Sequence, residues 1–326
     1  MRTKILGRTG IEVSIVGLGA ATLGMPDIAA MELQYVTKPE GMVCMNESQG
    51  VETIIEALKA GATLIDTAPL YGNGTSERII ARVFRERSEF KGQCLVTTKV
   101  GHHRRGDDFD FSYDAVMRSV EDSQKRLEQS RFKILYLHDP MDQDIKFVMS
   151  KKGAFGALQE LKRQKITEYI GVAANDPETN ADYIETGAFD AAVIPRCWNL
   201  VNQLAAKRIL PAAIKYNVGL VCASPVERGL LIDGPMAGVS YFGRKHPKGC
   251  LEQVREIKEL CLQYKLPLVV VALQWCTRHP QVATAIPGAA FPSESRQNTE
   301  AGNYEIPEEF WEELAPLVRH WDIEGF

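Results

Sequence analysis

Four residues of this chain carry proton chemistry at, or just beyond, positions where strand-like runs stop. The runs are 62–66, 94–99 and 134–138, and they close on Asp66, Lys99 and His138. Tyr71 follows the first of them in the loop 67–74. If the strands are parallel neighbours, all four share one rim of one sheet. A phenol titrates at about 10, too high for efficient proton exchange near neutrality. An ammonium against it stabilises the phenolate and lowers that value. A carboxylate on the ammonium keeps it charged and aimed, and an imidazole opposite can hold a substrate oxygen. The set suits moving a proton to or from an oxygen while a hydride moves elsewhere. Taken singly, each residue has an ordinary structural role: Asp66 can cap a turn through Thr67 and Ala68, Lys99 can be solvated, and His138 and Tyr71 can pack in loops. Their joint placement on three consecutive strand ends points to catalysis.

The elements that must position them alternate along the chain. Strands are predicted at 13–18, 64–66, 95–99, 134–138, 168–173, 190–196, 219–223 and 282–286. Helices are predicted at 48–60, 76–84, 113–127, 155–164, 177–186, 204–216, 251–264, 268–277, 293–300 and 308–318. Ser48 is the expected N-cap of the first, with Val51, Ile54, Ile55 and Leu58 on one face and Gly61 as the stop. The strands are short apolar runs, as expected where both faces are covered. Eight strand–helix units without a linker predict one domain over 1–326. The fold class is α/β, a closed (β/α)8 TIM barrel with its active site at the C-terminal ends of the strands. Segment 3–12, with Gly7 and Gly10 as turn residues, reads as a short hairpin ahead of the first barrel strand, and extra helices close the C-terminus. Stretches 25–46 and 233–248 read as long loops on the active rim, candidate covers for substrate or cofactor. A doubly wound dinucleotide fold is the rival. Gly17 and Gly19 match the first two glycines of GxGxxG, but Thr22 stands in place of the third and no helix follows promptly.

Bulk composition narrows the function classes. The chain has 326 residues, 45% apolar content, 25% charged residues and a formal net charge of −4. No basic block or aromatic-interleaved basic stripe suggests nucleic acid. No apolar run approaches the roughly 18–20 residues that cross a bilayer, and the N-terminal residues lack a signal peptide's apolar core. Seven cysteines at scattered spacing, with no CxxC pair, make neither a disulfide framework nor a metal site. A reducing cytoplasm is the expected setting. Oligomeric state is not legible.

The motifs around the four residues are specific. They run from Gly61 to Gly72 with Ser76 and Glu77, then Thr97 to Gly101, Leu137-His138, Gly171 to Asn175, Ala223-Ser224-Pro225 and Ile286-Pro287-Gly288. On these the chain resembles an aldo-keto reductase over essentially its whole length. The resemblance implies a (β/α)8 barrel that uses NAD(P) without a Rossmann fold, with Asp66, Tyr71, Lys99 and His138 as its catalytic tetrad. The stretches 109–123 and 267–274 are most similar to the branch of D-threo-aldose 1-dehydrogenases, which includes L-fucose and L-galactose dehydrogenases and pyridoxal 4-dehydrogenase.

The resemblance also implies a cofactor path. Trp198 is expected to stack on the nicotinamide. Asn175 and Arg196 would meet its carboxamide, where Ala174 and Arg196 depart from the family's usual serine and glutamine. Ser224 and Val226 would approach the pyrophosphate, and Gly19 and Ala20 would give backbone room. Asp66, Ile286, Gly288, Glu294 and Asn298 complete the cofactor set. Glu294 would repel a 2′-phosphate and accept from ribose hydroxyls, so NAD is expected over NADP, with Arg296 compensating in part if it reaches across. Substrate contacts are expected from His102, Asp139 and Trp198, with His103, Asn175 and the loop from Asp233 as further polar groups. The run His102-His103-Arg104-Arg105 can equally be a solvated loop. The implied activity is oxidation of an aldose at its anomeric carbon to the lactone. Carbonyl reduction and pyridoxal oxidation are alternatives on the same fold, and a remoter one is a nucleotide-binding redox sensor without turnover.

Overall fold

The computed structural model describes residues 1–23, 46–104, 108–239, 241 and 243–324. Two short strands, β1 (Thr3–Ile5) and β2 (Glu12–Ser14), pair antiparallel as the opening hairpin. Then come β3 (Leu18–Gly19), α1 (Glu47–Lys59), β4 (Leu64–Asp66), α2 (Thr75–Glu86), β5 (Leu95–Val100) and a small antiparallel pair, β6 (His102–Arg104) with β7 (Asp108–Phe109). The series continues with α3 (Tyr113–Leu127), β8 (Phe132–His138), α4 (Ile145–Val148), α5 (Ala154–Arg163), β9 (Thr167–Ala173), α6 (Pro177–Glu185), β10 (Ala191–Pro195) and α7 (Ile209–Tyr216). It ends with β11 (Gly219–Ala223), α8 (Leu230–Asp233), α9 (Lys248–Gln263), α10 (Leu268–Arg278), β12 (Val282–Ile286), α11 (Pro292–Glu300) and α12 (Glu308–Leu314).

Eight parallel strands lie in the order β3-β4-β5-β8-β9-β10-β11-β12. The ends of that row meet through backbone bonds from Gly17 to Ala285 (2.9 Å), Ala285 to Ile15 (2.9 Å) and Gly19 to Pro287 (3.0 Å), which curl the sheet into a nearly closed (β/α)8 barrel. Side chains alternate across the wall with period two. Leu64, Ile134, Tyr136, Val193 and Val221 fill the interior, joined by Leu6 and Val13 of the hairpin. The residues between them along the strands, such as Ile65, Leu135, Ile194 and Cys222, face the helical layer instead. Gly171 makes room for the interior: a Cβ there would come within 2.3 Å of the Tyr136 ring. Gly7 lets the hairpin lie on Gly219, since its Cβ would meet that backbone nitrogen at 2.2 Å.

Several boundaries differ from expectation for identifiable reasons. Residues 13–14 belong to the hairpin, so the first barrel strand is only Leu18–Gly19. Helix α1 is capped by Asn46, whose side chain accepts from Gln49 N at 2.8 Å, and not by Ser48. The expected helix 204–216 is a 3-10 turn (Leu204–Ala206) followed by α7. The last helix stops at Leu314 because Pro316 lacks an N–H, and a 3-10 turn follows. The expected loop 25–46 lies outside the described residues except for Asn46. No single helix among the described residues is long and apolar enough to cross a membrane.

Candidate active site

The rim is built by register. Asp66 pairs opposite Thr97, Lys99 opposite Tyr136, and His138 opposite Ala173. Lys99 is 1% exposed and Asp66 3% exposed, so neither is solvated. The Lys99 ammonium donates to Asp66 Oδ2 (2.5 Å), Thr67 O (2.8 Å) and Tyr71 Oη (3.2 Å). All three ammonium hydrogens therefore have acceptors. Thr97 Oγ1 fixes the other Asp66 oxygen at 2.8 Å. Tyr71 is set by a tight turn in which its N–H donates to Ala68 O (3.1 Å) and Gly72, Asn73 and Gly74 all have positive φ. Its ring meets His138 edge-on at 6.0 Å between centroids. The four residues expected together are together.

The electrostatics partly correct the expectation. Burial alone would push the Lys99 ammonium down, yet Asp66 and Tyr71 outweigh it and hold its pKa above the ordinary value. For Tyr71, burial is the largest influence and raises the phenol. Lys99 pulls it back and Asp66 pushes it up, leaving it above its ordinary value. The ammonium limits the rise without reversing it, because the same closed surroundings that align the pair also penalise the phenolate.

A second polar chain runs beside His138. Asp139 Oδ2 lies 3.4 Å from His102 Nδ1 and 3.6 Å from His138 Nε2. Asn175 donates to Asp139 from its backbone N–H (2.9 Å) and from Nδ2 to both oxygens (3.1 Å each). Arg196 reaches Asn175 Oδ1 at 3.3 Å. Burial would raise the Asp139 carboxyl, but hydrogen bonds from His102 and Asn175 and the neighbouring His138 bring it down to about 2. The run 102–105 is thus not a solvated loop at its start: His102 pairs in the β6–β7 ribbon and stacks on Phe109 at 4.1 Å. His103's side chain and Arg105 lie outside the described residues.

The expected cofactor residues divide. Gly19, buried, ends β3 and Ala20, also buried, follows it, and Asn175, Arg196, Ser224 and Gly288 follow the ends of β9 to β12 on the same rim. Asn298 Nδ2 donates to Gly288 O at 3.3 Å, Ile286 faces the barrel interior, and Val226 packs in the core with its carbonyl accepting from Gly229. Glu294 accepts from Ala290 N at 2.9 Å. Arg296 does not compensate for it, because its guanidinium is bound to Glu56 (Nε to Oε2, 2.6 Å). Trp198 is the clear correction. Its indole N–H donates to Cys276 O at 3.0 Å, and its ring lies 4.8 Å from Trp275 and 5.7 Å from His279. It belongs to the helical layer around α10, so neither stacking on a nicotinamide nor a substrate contact fits it.

Sequence reasoning missed three groups. Arg228 and Arg244 join Arg196 in a cation cluster beyond β10 and β11. Burial first, then Arg196 and Arg244, lower the Arg228 pKa to about 10. Buried Glu227 answers part of that charge, accepting from Arg244 Nε (2.9 Å) and Asn199 Nδ2 (3.1 Å). This pair ties the loop 233–248 to the turn after β11, with Ser240 and Phe242 outside the described residues. Asn180 was also missed: it bonds Ala174 from both sides and Val193 O, fixing the turn that carries Asn175. The third is Tyr136, fully buried two residues before His138, whose hydroxyl has no partner among the described residues. Period two along β8 was the available signal for it. The neighbouring Arg196 and Arg228 cations suit a bound pyrophosphate, while the missing side chain of Gly19 makes room for Ile286 O, which a Cβ there would meet at 2.8 Å.

Comparison with known proteins agrees with this picture. Residues 21–319 match the aldo/keto reductase family. The chain is 28% identical to a pyridoxal 4-dehydrogenase of Microbacterium luteolum, over 95% of this chain and 96% of that one. It is 26% identical to a D-threo-aldose 1-dehydrogenase of a Pseudomonas species, over 94% of each. An L-galactose dehydrogenase of Arabidopsis thaliana is 29% identical, over 81% of this chain and 79% of that protein. Among solved structures, the holo form of an aldo-keto reductase from Bacillus halodurans superposes with a TM-score of 0.77 at 23% identity, over 98% and 97% of the two chains.

Proposed function

Because this chain belongs to the aldo/keto reductase family of NAD(P)H-using oxidoreductases, we propose that it oxidises an aldose at its anomeric carbon to the lactone, with NAD as the preferred cofactor. The observation that carries the reading is the buried Lys99 ammonium held between Asp66 and Tyr71. The relatives named for aldose oxidation favour a sugar. The relative named for pyridoxal favours an alternative that the same site accommodates.

A bound nicotinamide supplies the hydride acceptor. Every other task falls to side chains. Tyr71, as phenolate, takes the proton of the anomeric hydroxyl while the C1–H bond breaks and the C1–O bond becomes a carbonyl. Lys99 stabilises the phenolate, and Asp66 keeps the ammonium charged and aimed. His138 orients the sugar oxygen, and Asp139 with His102 holds the imidazole side of the mouth. In the reverse direction Tyr71 acts as the acid. Asn175 and Arg196 would hold the carboxamide, Ser224 and Arg228 the pyrophosphate, and Gly19, Ala20, Ile286, Gly288 and Asn298 the remaining length.

The test is a spectrophotometric screen of L-fucose, L-galactose, D-arabinose and pyridoxal with each cofactor. One of the sugars is expected to give the highest kcat/KM. Pyridoxal outperforming every sugar moves the assignment to the alternative, and no turnover despite tight NADH binding moves it to a redox sensor.

Cofactor preference gives a separate prediction. Glu294 is anchored on Ala290, and Arg296 is occupied by Glu56. A carboxylate without a nearby compensating cation repels a phosphate dianion. NAD is expected to outperform NADP, and Glu294→Arg should move the ratio of the two kcat/KM values toward NADP by about tenfold, or about 1.4 kcal/mol. Equal efficiencies in the wild-type enzyme reject the preference.

A further inference from the structure

His102, His138 and Asp139 offer one ligand atom each within 4.8 Å of one another. Two separations share one carboxylate oxygen: 3.4 Å from His102 Nδ1 and 3.6 Å from His138 Nε2 to Asp139 Oδ2. Both are long for a charge-assisted hydrogen bond, which sits at about 2.7–2.9 Å. Both match the edge of a tetrahedron of ligands around zinc. Ligands at about 2.0–2.2 Å from the ion stand roughly 3.3–3.6 Å apart. The side chains are already desolvated, at 12%, 5% and 5% exposure for His102, His138 and Asp139. Each is also braced. His102 stacks on Phe109, His138 ends a strand of the barrel, and Asn175 grips both oxygens of Asp139. That last contact is the kind of outer-shell bond that orients a ligating carboxylate.

We propose that His102, His138 and Asp139 form a binding site for a divalent transition metal, Zn²⁺ by ligand type, and that its occupation inhibits the enzyme. Two imidazoles and a carboxylate are a donor set that suits zinc, and three protein ligands leave one position open. The expectation from sequence was no metal site, because the ligands lie on two strand ends with no spacing motif between them. The inhibition follows from the proposed function: once ligated, the His138 nitrogen is withdrawn from the substrate oxygen. The ion then competes with the sugar and leaves the cofactor's half of the rim untouched.

Zn²⁺ titrated calorimetrically into the chelator-treated full-length protein tests the site without any turnover. About one ion per chain is expected, with a visible ligand-field spectrum of low-coordinate type when Co²⁺ replaces Zn²⁺. His102→Gln should weaken binding by at least about tenfold and abolish that spectrum. Asp139→Asn, which keeps acceptor capacity toward Asn175, serves as the second variant if the first is misfolded by circular dichroism. Undiminished Zn²⁺ binding in a folded variant, or no binding in the wild type, overturns the site. In the assay, Zn²⁺ should raise the KM for the sugar and leave kcat unchanged, with reversal by chelator. Binding without that effect overturns the inhibition. An enzyme inactive on every sugar sinks the functional reading while the calorimetry still decides the metal site.

Discussion

A Tyr71→Phe enzyme should oxidise its sugar about 10²-fold or more slowly than the wild type and bind NAD(H) as before. The phenol oxygen lies against the Lys99 ammonium, at 3.2 Å, and the ring that carries it lies edge-on to that of His138. Acid–base catalysis by a positioned side chain contributes about 10²–10⁴-fold. Phenylalanine keeps the ring and its packing, so the loss reports on the oxygen. The pH profile sharpens the test. With the Tyr71 phenol held above its ordinary value by burial, oxidation needs the scarce phenolate and its rate should climb through the alkaline range. Reduction needs the phenol, abundant at neutral pH, and should stay level over the same interval. The variant should lose the alkaline climb. A near-normal rate in the variant removes the mechanism.

Lys99→Met should damage both turnover and stability. Without the ammonium, the Lys99 charge no longer restrains the rise of the Tyr71 phenol, and the oxidation should slow by about 10²–10³-fold. The stability cost arises because Asp66, 3% exposed, is left as a buried carboxylate without its cation. Breaking a buried pair from one side costs about 3–5 kcal/mol, which lowers Tm by roughly 10 °C. The sign with pH is fixed by the direction of the lysine's shift. Its folded pKa is raised, so the pairing is fully present below about pH 10 and is lost only as pH rises through the folded value. The deficit measured by calorimetry should therefore be constant between about pH 6 and 9. A variant as stable as the wild type would mean the pair contributes nothing, whatever its effect on rate.

How much of this was readable beforehand depends on the range of the interactions. The strands were legible because alternation is local: Leu64 and Asp66, or Tyr136 and His138, share a face by period alone. Helix α3 was legible to the residue because its cap, Ser112, sits next to the first apolar position and the chain turns left-handed at Glu128. The first barrel strand was misplaced because an apolar run from 13 to 18 hides a change of partner, from the hairpin to the barrel. The meeting of Lys99, Asp66 and Tyr71 followed from strand order. The balance of forces on the phenol did not, since burial belongs to the whole rim. Trp198 was misread because the direction of an aromatic after a strand is decided by its partners, here Trp275 and Cys276, far along the chain. The cluster of Arg196, Arg228 and Arg244 was invisible for the same reason.

The shortest strand of the barrel is also its fastening. β3 has two residues, and the wall closes across it through bonds from Gly17, Gly19 and Ala285. β8 and β9 are joined along much longer runs, from Phe132 to His138 and from Thr167 to Ala173. A cylinder zipped this unevenly opens first where the fewest teeth engage. Gly19 and Ala20 stand at that place. A dinucleotide lying over them would act as a clasp, and its binding energy would be felt as tighter closure of the barrel as much as readiness for hydride transfer.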